Sequence, residues 1–118
     1  MKLKNKIICF DLDGIICKTS KKNYMSARPI KKVINLINKL YFDNYIIIFT
    51  ARYMGRNNEK VGVAKKEGFK KTYNQLIKWK LKFHKLKFGK PSYDMIVDDK
   101  SFLFKKNWLS EFEKKYLK

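Results

Sequence analysis

Apolar residues in this chain follow two patterns, short unbroken runs and runs spaced by three and four. Lys6-Ile7-Ile8-Cys9-Phe10 is a β-rich run that stops abruptly at Asp11, Asp13 and Gly14. This predicts a buried strand that delivers carboxylates to its C-terminal end. From Pro29 the period changes: Ile30, Val33, Ile34, Ile37, Leu40 and Tyr41 recur at helical spacing, with Lys31, Lys32, Asn35, Asn38 and Lys39 between them. Pro29 suits a first turn, and the pattern predicts an amphipathic helix of about four turns. After an Asp43-Asn44 turn, Tyr45-Ile46-Ile47-Ile48-Phe49 forms a second apolar run, ending at Thr50. Strand, helix, strand with both strands apolar throughout predicts a right-handed parallel crossover, because each face of such a sheet is covered.

The remaining segments are read in the same way. Residues 15–28 are polar and without period, a surface excursion long enough to serve as a flap. After a loop from Ala51 to Arg56, a helix is expected from Asn57 or Asn58 to Lys66, closed by Gly68 as a left-handed cap. Thr72 is expected to cap another helix reaching about His84. Lys85 to Phe88 reads as a short strand, Gly89-Lys90-Pro91 as a turn, and Tyr93 to Val97 as a strand ending in Asp98 and Asp99. The tail from Asn107 reads as a helix with Trp108, Leu109, Phe112 and Tyr116 on one face. The fold class expected is α/β, a Rossmann-like three-layer sandwich around a central parallel sheet, in one domain spanning 1–118.

Composition changes this picture in one respect. The formal net charge is +19, which raises nucleic acid, an anionic surface or an acidic partner as candidates. The basic residues are nearly all Lys, with only Arg28, Arg52 and Arg56 as exceptions, whereas base readout favours Arg. A nucleic-acid partner is therefore the second choice. Cys9 and Cys17 stand in no Cys-x-x-Cys pair and are expected as free thiols in a reducing compartment. The first apolar stretch is too short for a signal peptide and no segment reaches membrane-span length, so a cytoplasmic location without membrane contact is expected. A homo-oligomer is left open.

Chemistry collects where the predicted strands end: Asp11 and Asp13 after the first, Thr50 after the second, Asp98 and Asp99 after the last. Ligands of open α/β sheets bind in the crevice outside these carboxyl ends. Four carboxylates gathered there repel one another and call for a cation, and hard oxygen ligands suit Mg²⁺.

Asp11-Leu12-Asp13-Gly14, Thr50, Lys90 and Asp98-Asp99 resemble, in order, the four motifs of the haloacid dehalogenase (HAD) superfamily, whose members are mostly phosphatases. The resemblance spans Ile7 to Lys100. It implies that Asp11 attacks phosphorus to form an aspartyl-phosphate, and that Asp13 protonates the leaving oxygen and then deprotonates water. The superfamily's dehalogenases generally lack that second acid, so Asp13 points to phosphoryl transfer. It further implies that Thr50 binds a phosphoryl oxygen and Lys90 supplies positive charge. Mg²⁺ would be held by Asp11, the Asp13 carbonyl and the acidic pair, with Asp99 as direct ligand and Asp98 acting through water or orienting the site. Thr50-Ala51-Arg52 and the stretch around Lys90 are similar to small bacterial phosphatases of capsule and surface-polysaccharide biosynthesis, which implies a sugar phosphate or sugar-acid phosphate as substrate. In that setting Arg52 is a second substrate contact beside Thr50, Ala51 and Lys90. One position departs from the pattern: Ile15 stands where the superfamily usually has Thr.

About 35 residues separate Gly14 from Thr50 and about 40 separate Thr50 from Lys90, so neither gap holds a cap domain of usual size. A capless enzyme is expected, with the 15–28 flap choosing substrate. The alternatives are a phosphatase of nucleotide or polynucleotide ends and a catalytically weak module that binds phosphorylated ligands.

Overall fold

The computed structural model describes residues 2–53, 61–89, 94–98 and 107–117, with the backbone alone at 61–65 and 67. Among the described residues four strands form a parallel sheet: β1 (Ile7–Asp11), β4 (Tyr45–Thr50), β5 (Lys85–Phe88) and β6 (Met95–Val97), in the order β5-β4-β1-β6. Two short strands, β2 (Cys17–Lys18) and β3 (Arg28–Pro29), pair antiparallel outside it. The helices are α1 (Lys31–Leu40), α2 (Val61–Lys78) and α3 (Trp108–Tyr116).

Alternation along the strands sends side chains to both faces. Ile8, Phe10, Ile46 and Ile48 join Val33, Ile34, Leu36, Ile37 and Leu40 of α1 and Leu76 of α2 in the main core, and α3 packs Trp108, Leu109, Phe112 and Tyr116 against it. On the other face Cys9, Ile47 and Phe49 are also buried, with Ile96 against them. A sheet covered on both faces is the three-layer α/β arrangement that the unbroken apolar runs predict.

Register is pinned one residue ahead of each edge strand. Before β6, Asp94 accepts a hydrogen bond from the Ile7 N–H at 2.7 Å through its carboxylate and donates its own N–H to the Ile7 carbonyl at 2.9 Å. Before β5, His84 accepts from the Ile46 N–H through Nδ1 and donates its N–H to the Ile46 carbonyl, both at 2.9 Å. Nδ1 as acceptor places the ring hydrogen on Nε2. The imidazole lies between the rings of Tyr41 and Tyr45, with centroids 4.3 and 4.8 Å away.

Three helical expectations are corrected. Pro29 lies in β3, where an edge position tolerates its missing N–H, and Ile30 donates to the Ile16 carbonyl before α1 begins at Lys31. Gly68 closes no helix; α2 runs through both it and Thr72. A Cβ at Gly68 would overlap Cδ2 and Cε2 of the Tyr53 ring, so glycine permits close packing within the helix. The helix also stops well before His84. Lys80 turns left-handed at φ 61°, with its N–H on the Ile77 carbonyl and that of Leu81 on the Leu76 carbonyl, the paired bonds of a Schellman motif. The predicted helix start at Asn57 or Asn58 and the turn at Lys90 and Pro91 lie outside the described residues.

Candidate active site

The sheet order places a topological switch point between β1 and β6: β1, β4 and β5 follow one another in one direction, and β6 lies on β1's other side. Phe10 pairs with Val97, so the next residues, Asp11 and Asp98, leave neighbouring strands side by side at their carboxyl ends. On β1's other flank Asp11 pairs with Phe49, one residue before Thr50. Asp11 and Asp98 are both half-buried.

Beyond Asp11 the chain turns sharply. Ile16 and Cys17 both donate to the Leu12 carbonyl, Gly14 donates to the Cys17 carbonyl, and Gly14 takes φ 96°, which glycine adopts without penalty. The turn leaves Asp13 at the mouth of the site and leads into the β2–β3 hairpin, whose loop contains a single 3-10 turn, Tyr24–Ser26. The segment expected as a flap is thus a hairpin rooted beside Asp13. Ile15 lies in the main core at 1% exposure, so the side chain at this position packs inward.

Asp13 has a cation of its own. Arg52 is only 1% exposed and grips the carboxylate with a fork, Nε to Oδ2 at 2.9 Å and Nη2 to Oδ1 at 2.9 Å. Its remaining nitrogen, Nη1, donates to Oε1 of buried Gln75 at 2.6 Å, and Gln75 Nε2 donates to the Tyr24 carbonyl at 2.8 Å. The Arg52 guanidinium carbon also lies 4.9 Å from the Tyr24 ring centroid. The Thr19 hydroxyl donates to Asp13 Oδ1, and the Cys17 thiol lies 3.5 Å from the same oxygen. Burial pushes the Cys17 thiol up to about 11, with the Thr19 hydrogen bond opposing, so the group stays a neutral donor.

This arrangement corrects two expectations. Arg52 has no face turned to a substrate, because its side chain is committed to Asp13 and Gln75. The carboxylates that call for an added cation are fewer than the four of the sequence pattern, since Asp13 is neutralised from within. Gln75 and Thr19 were invisible as site residues. They stand in no motif, and Gln75 lies 62 positions beyond Asp13 in the chain.

The other expected residues are placed as follows. Thr50 is buried at 1%, and its hydroxyl oxygen accepts the Arg52 N–H at 3.1 Å, which leaves the hydroxyl hydrogen to donate. Ala51 is exposed beside it. Lys90 and Asp99 lie outside the described residues, although Gly89, immediately before Lys90, is held to the Thr50 carbonyl at 3.1 Å.

A crystal structure of a protein from Vibrio cholerae is similar to this chain over 93% of its length and 98% of that protein's, with a TM-score of 0.68 and 22% identity. The fold is shared. At this identity the likeness extends to the fold alone. A chain of the Pnkp1/Rnl/Hen1 RNA repair complex aligns with 96% of this chain and 32% of its own length, at 16% identity and a TM-score of 0.47, too low to bear on fold or activity. No protein-family model and no curated protein matches the sequence.

Among the described residues no three His, Cys, Asp or Glu side chains converge as a metal cluster, and Asp99, the expected direct ligand, is not among them. The donor chemistry at the switch point nonetheless fits a hard divalent cation. Asp11 and Asp98 follow paired residues on adjacent strands, whose backbones run about 5 Å apart, and carboxylate oxygens are the donors such an ion takes. Among the described residues no helix is long and apolar enough to cross a membrane.

Proposed function

We propose that this chain is a phosphomonoesterase of the haloacid dehalogenase type, with Asp11 as nucleophile, Asp13 as proton-transfer group and Mg²⁺ as cofactor. The observation that carries the reading is the position of Asp11 and Asp98, each one residue past the paired Phe10 and Val97 at the switch point, beside an Asp13 held by a buried Arg52 fork. A turn cap needs none of this. An acid that serves only to cap a turn does not require a fully buried guanidinium from 39 positions away.

In this reading an Asp11 carboxylate oxygen attacks phosphorus, the bond from phosphorus to the leaving oxygen breaks, and that oxygen takes a proton from Asp13. Water then attacks the aspartyl-phosphate, gives its proton to Asp13, and Asp11 is released with inorganic phosphate. Thr50 donates its hydroxyl hydrogen to a phosphoryl oxygen, and Lys90 adds positive charge to the transferring group. Asp11, Asp98, Asp99 and the Asp13 carbonyl would hold Mg²⁺, which supplies charge neutralisation at the phosphoryl oxygens. Arg52 acts through Asp13 as a positioning residue: the fork fixes the carboxyl group's plane and stabilises the anion formed when Asp13 gives its proton to the leaving oxygen. A sugar phosphate or sugar-acid phosphate, as in surface-polysaccharide synthesis, is the substrate class the sequence resemblance favours.

Hydrolysis of a phosphometabolite panel with and without Mg²⁺, alongside Asp11→Asn, tests the reading. Turnover is expected to require the metal and to fall by several orders of magnitude in the variant. Near wild-type turnover by Asp11→Asn, or no turnover of any phosphomonoester, rejects it. Salt distinguishes a polynucleotide substrate, whose apparent affinity falls steeply as ionic strength rises.

A further inference from the structure

We infer that the pocket beside Asp13 is an anion receptor for the part of the substrate that is not transferred, so that preferred substrates are small phosphomonoesters carrying a second anionic group; this rests on the phosphomonoesterase reading above. The pocket has a volume of about 350 Å³ and is lined by Asp13, Gly14, Lys18, Thr19, Lys21 and Tyr24. That lies near the lower end of the range for small-molecule sites, suited to a group of monosaccharide size.

Its charge is one-sided. From Gly14 to Ile30 the chain has no Asp or Glu, but it has Lys18, Lys21, Lys22 and Arg28. Among the described residues the only carboxylate on the pocket wall is Asp13, and the buried Arg52 fork already meets that charge. Lys18 and Lys21, both exposed, therefore line the pocket with no second carboxylate among the described lining residues to cancel their charge. A concave site lined by one sign of charge concentrates ligands of the opposite sign. The phosphoryl group itself belongs at Asp11 and Thr50, so these lysines serve a different anion.

The wall is fixed in place. Tyr24 is tied through its carbonyl to Gln75 and through its ring to Arg52, with the Tyr53 ring edge-on at 4.9 Å. Lys21 stands at the hairpin tip with φ 54°, a conformation glycine or asparagine adopts at lower cost.

The test compares 6-phosphogluconate with sorbitol 6-phosphate, which share chain length and phosphate and differ in one carboxylate, with p-nitrophenyl phosphate as a control. The wild-type chain is expected to prefer the carboxylate substrate by roughly tenfold in kcat/KM, mainly through KM, a size of effect that exposed charge pairs can supply. In Lys18→Ala/Lys21→Gly that ratio is expected to fall toward one, and glycine at 21 suits the tip's backbone, so misfolding does not mimic the result. A hexitol bisphosphate arm separates carboxylate from phosphate as the second anion. Equal hydrolysis of the pair by the wild-type chain, or a preference that survives the double substitution, overturns the receptor while p-nitrophenyl phosphate turnover leaves the phosphatase reading standing. Preference for a dinucleotide 3′-phosphate over all of these overturns the small-molecule class, and absence of any turnover removes both readings.

Discussion

Arg52 and Asp13 are joined by a fork of two hydrogen bonds of 2.9 Å, with the arginine side chain wholly buried and the aspartate 28% exposed. A planar fork matched to a carboxylate is what lysine cannot reproduce. Arg52→Ala would leave Gln75 Oε1 without its donor and Asp13 without its cation. Because Asp13 keeps some contact with water, the cost should fall below that of a fully buried pair, at about 2–3 kcal/mol. Arg52→Lys keeps charge but not geometry and should cost about 1–2 kcal/mol. Urea unfolding measures both. If the positioning role is right, Arg52→Lys also alters the pH profile of kcat, which a merely structural arginine would leave in place.

The contact between Gly68 and the Tyr53 ring sets two effects against each other. Alanine is better than glycine inside a helix by about 1 kcal/mol, whereas forcing a methyl into an occupied space costs about 1–3 kcal/mol. Packing should win, so Gly68→Ala is expected to destabilise the protein. In a Tyr53→Gly background the ring is gone, and glycine suits the φ of 69° at position 53. There the same substitution should become stabilising, a reversal that a double-mutant cycle reads directly.

At the end of α2, Lys80 occupies the left-handed position of a Schellman motif that glycine usually fills. Lys80→Gly should raise stability by about 1 kcal/mol. For a chain of this size that corresponds to a rise in Tm of about 4 °C. Thermal unfolding followed by circular dichroism checks it, and an unchanged or lower Tm counts against the assigned cap.

Both thiols are buried, and burial pushes each up to about 11, Cys9 against an opposing influence from Lys87. Between the ordinary thiol value near 9 and about 11 the unfolded chain releases protons that the folded chain retains. The contribution of the thiols to stability is thus intact below pH 9 and lost as pH rises toward 11. Stability measured across this window should fall less in Cys9→Ala/Cys17→Ala than in the wild-type chain. At pH 8 the native protein should react with a thiol reagent far more slowly than the urea-unfolded one.

How much was legible beforehand follows from the range of each interaction. Asp11, Thr50 and Asp98 could be placed at strand ends because an apolar run stops where the chain leaves the core, and that boundary is written in adjacent residues. The parallel crossover followed from the same runs, as did α1, whose buried positions 33, 34, 36, 37 and 40 repeat at helical spacing. The loop from 15 to 28 was recognisable only by its lack of period, and the hairpin within it was not.

The sequence by itself therefore determined the strands of the parallel sheet and the helix α1 between the first two, and that Asp11, Asp13 and Asp98 follow strand ends. Tertiary structure decided what those carboxylates meet. It turned Arg52 inward onto Asp13 rather than outward to a ligand, recruited Gln75 from α2 to hold both Arg52 and Tyr24, and carried α2 through Gly68 because the Tyr53 ring lies against it. Periodicity reports only whether a position faces the core. The partner a buried polar group finds there depends on segments brought together by packing, 39 positions apart for Asp13 and Arg52 and 23 for Arg52 and Gln75.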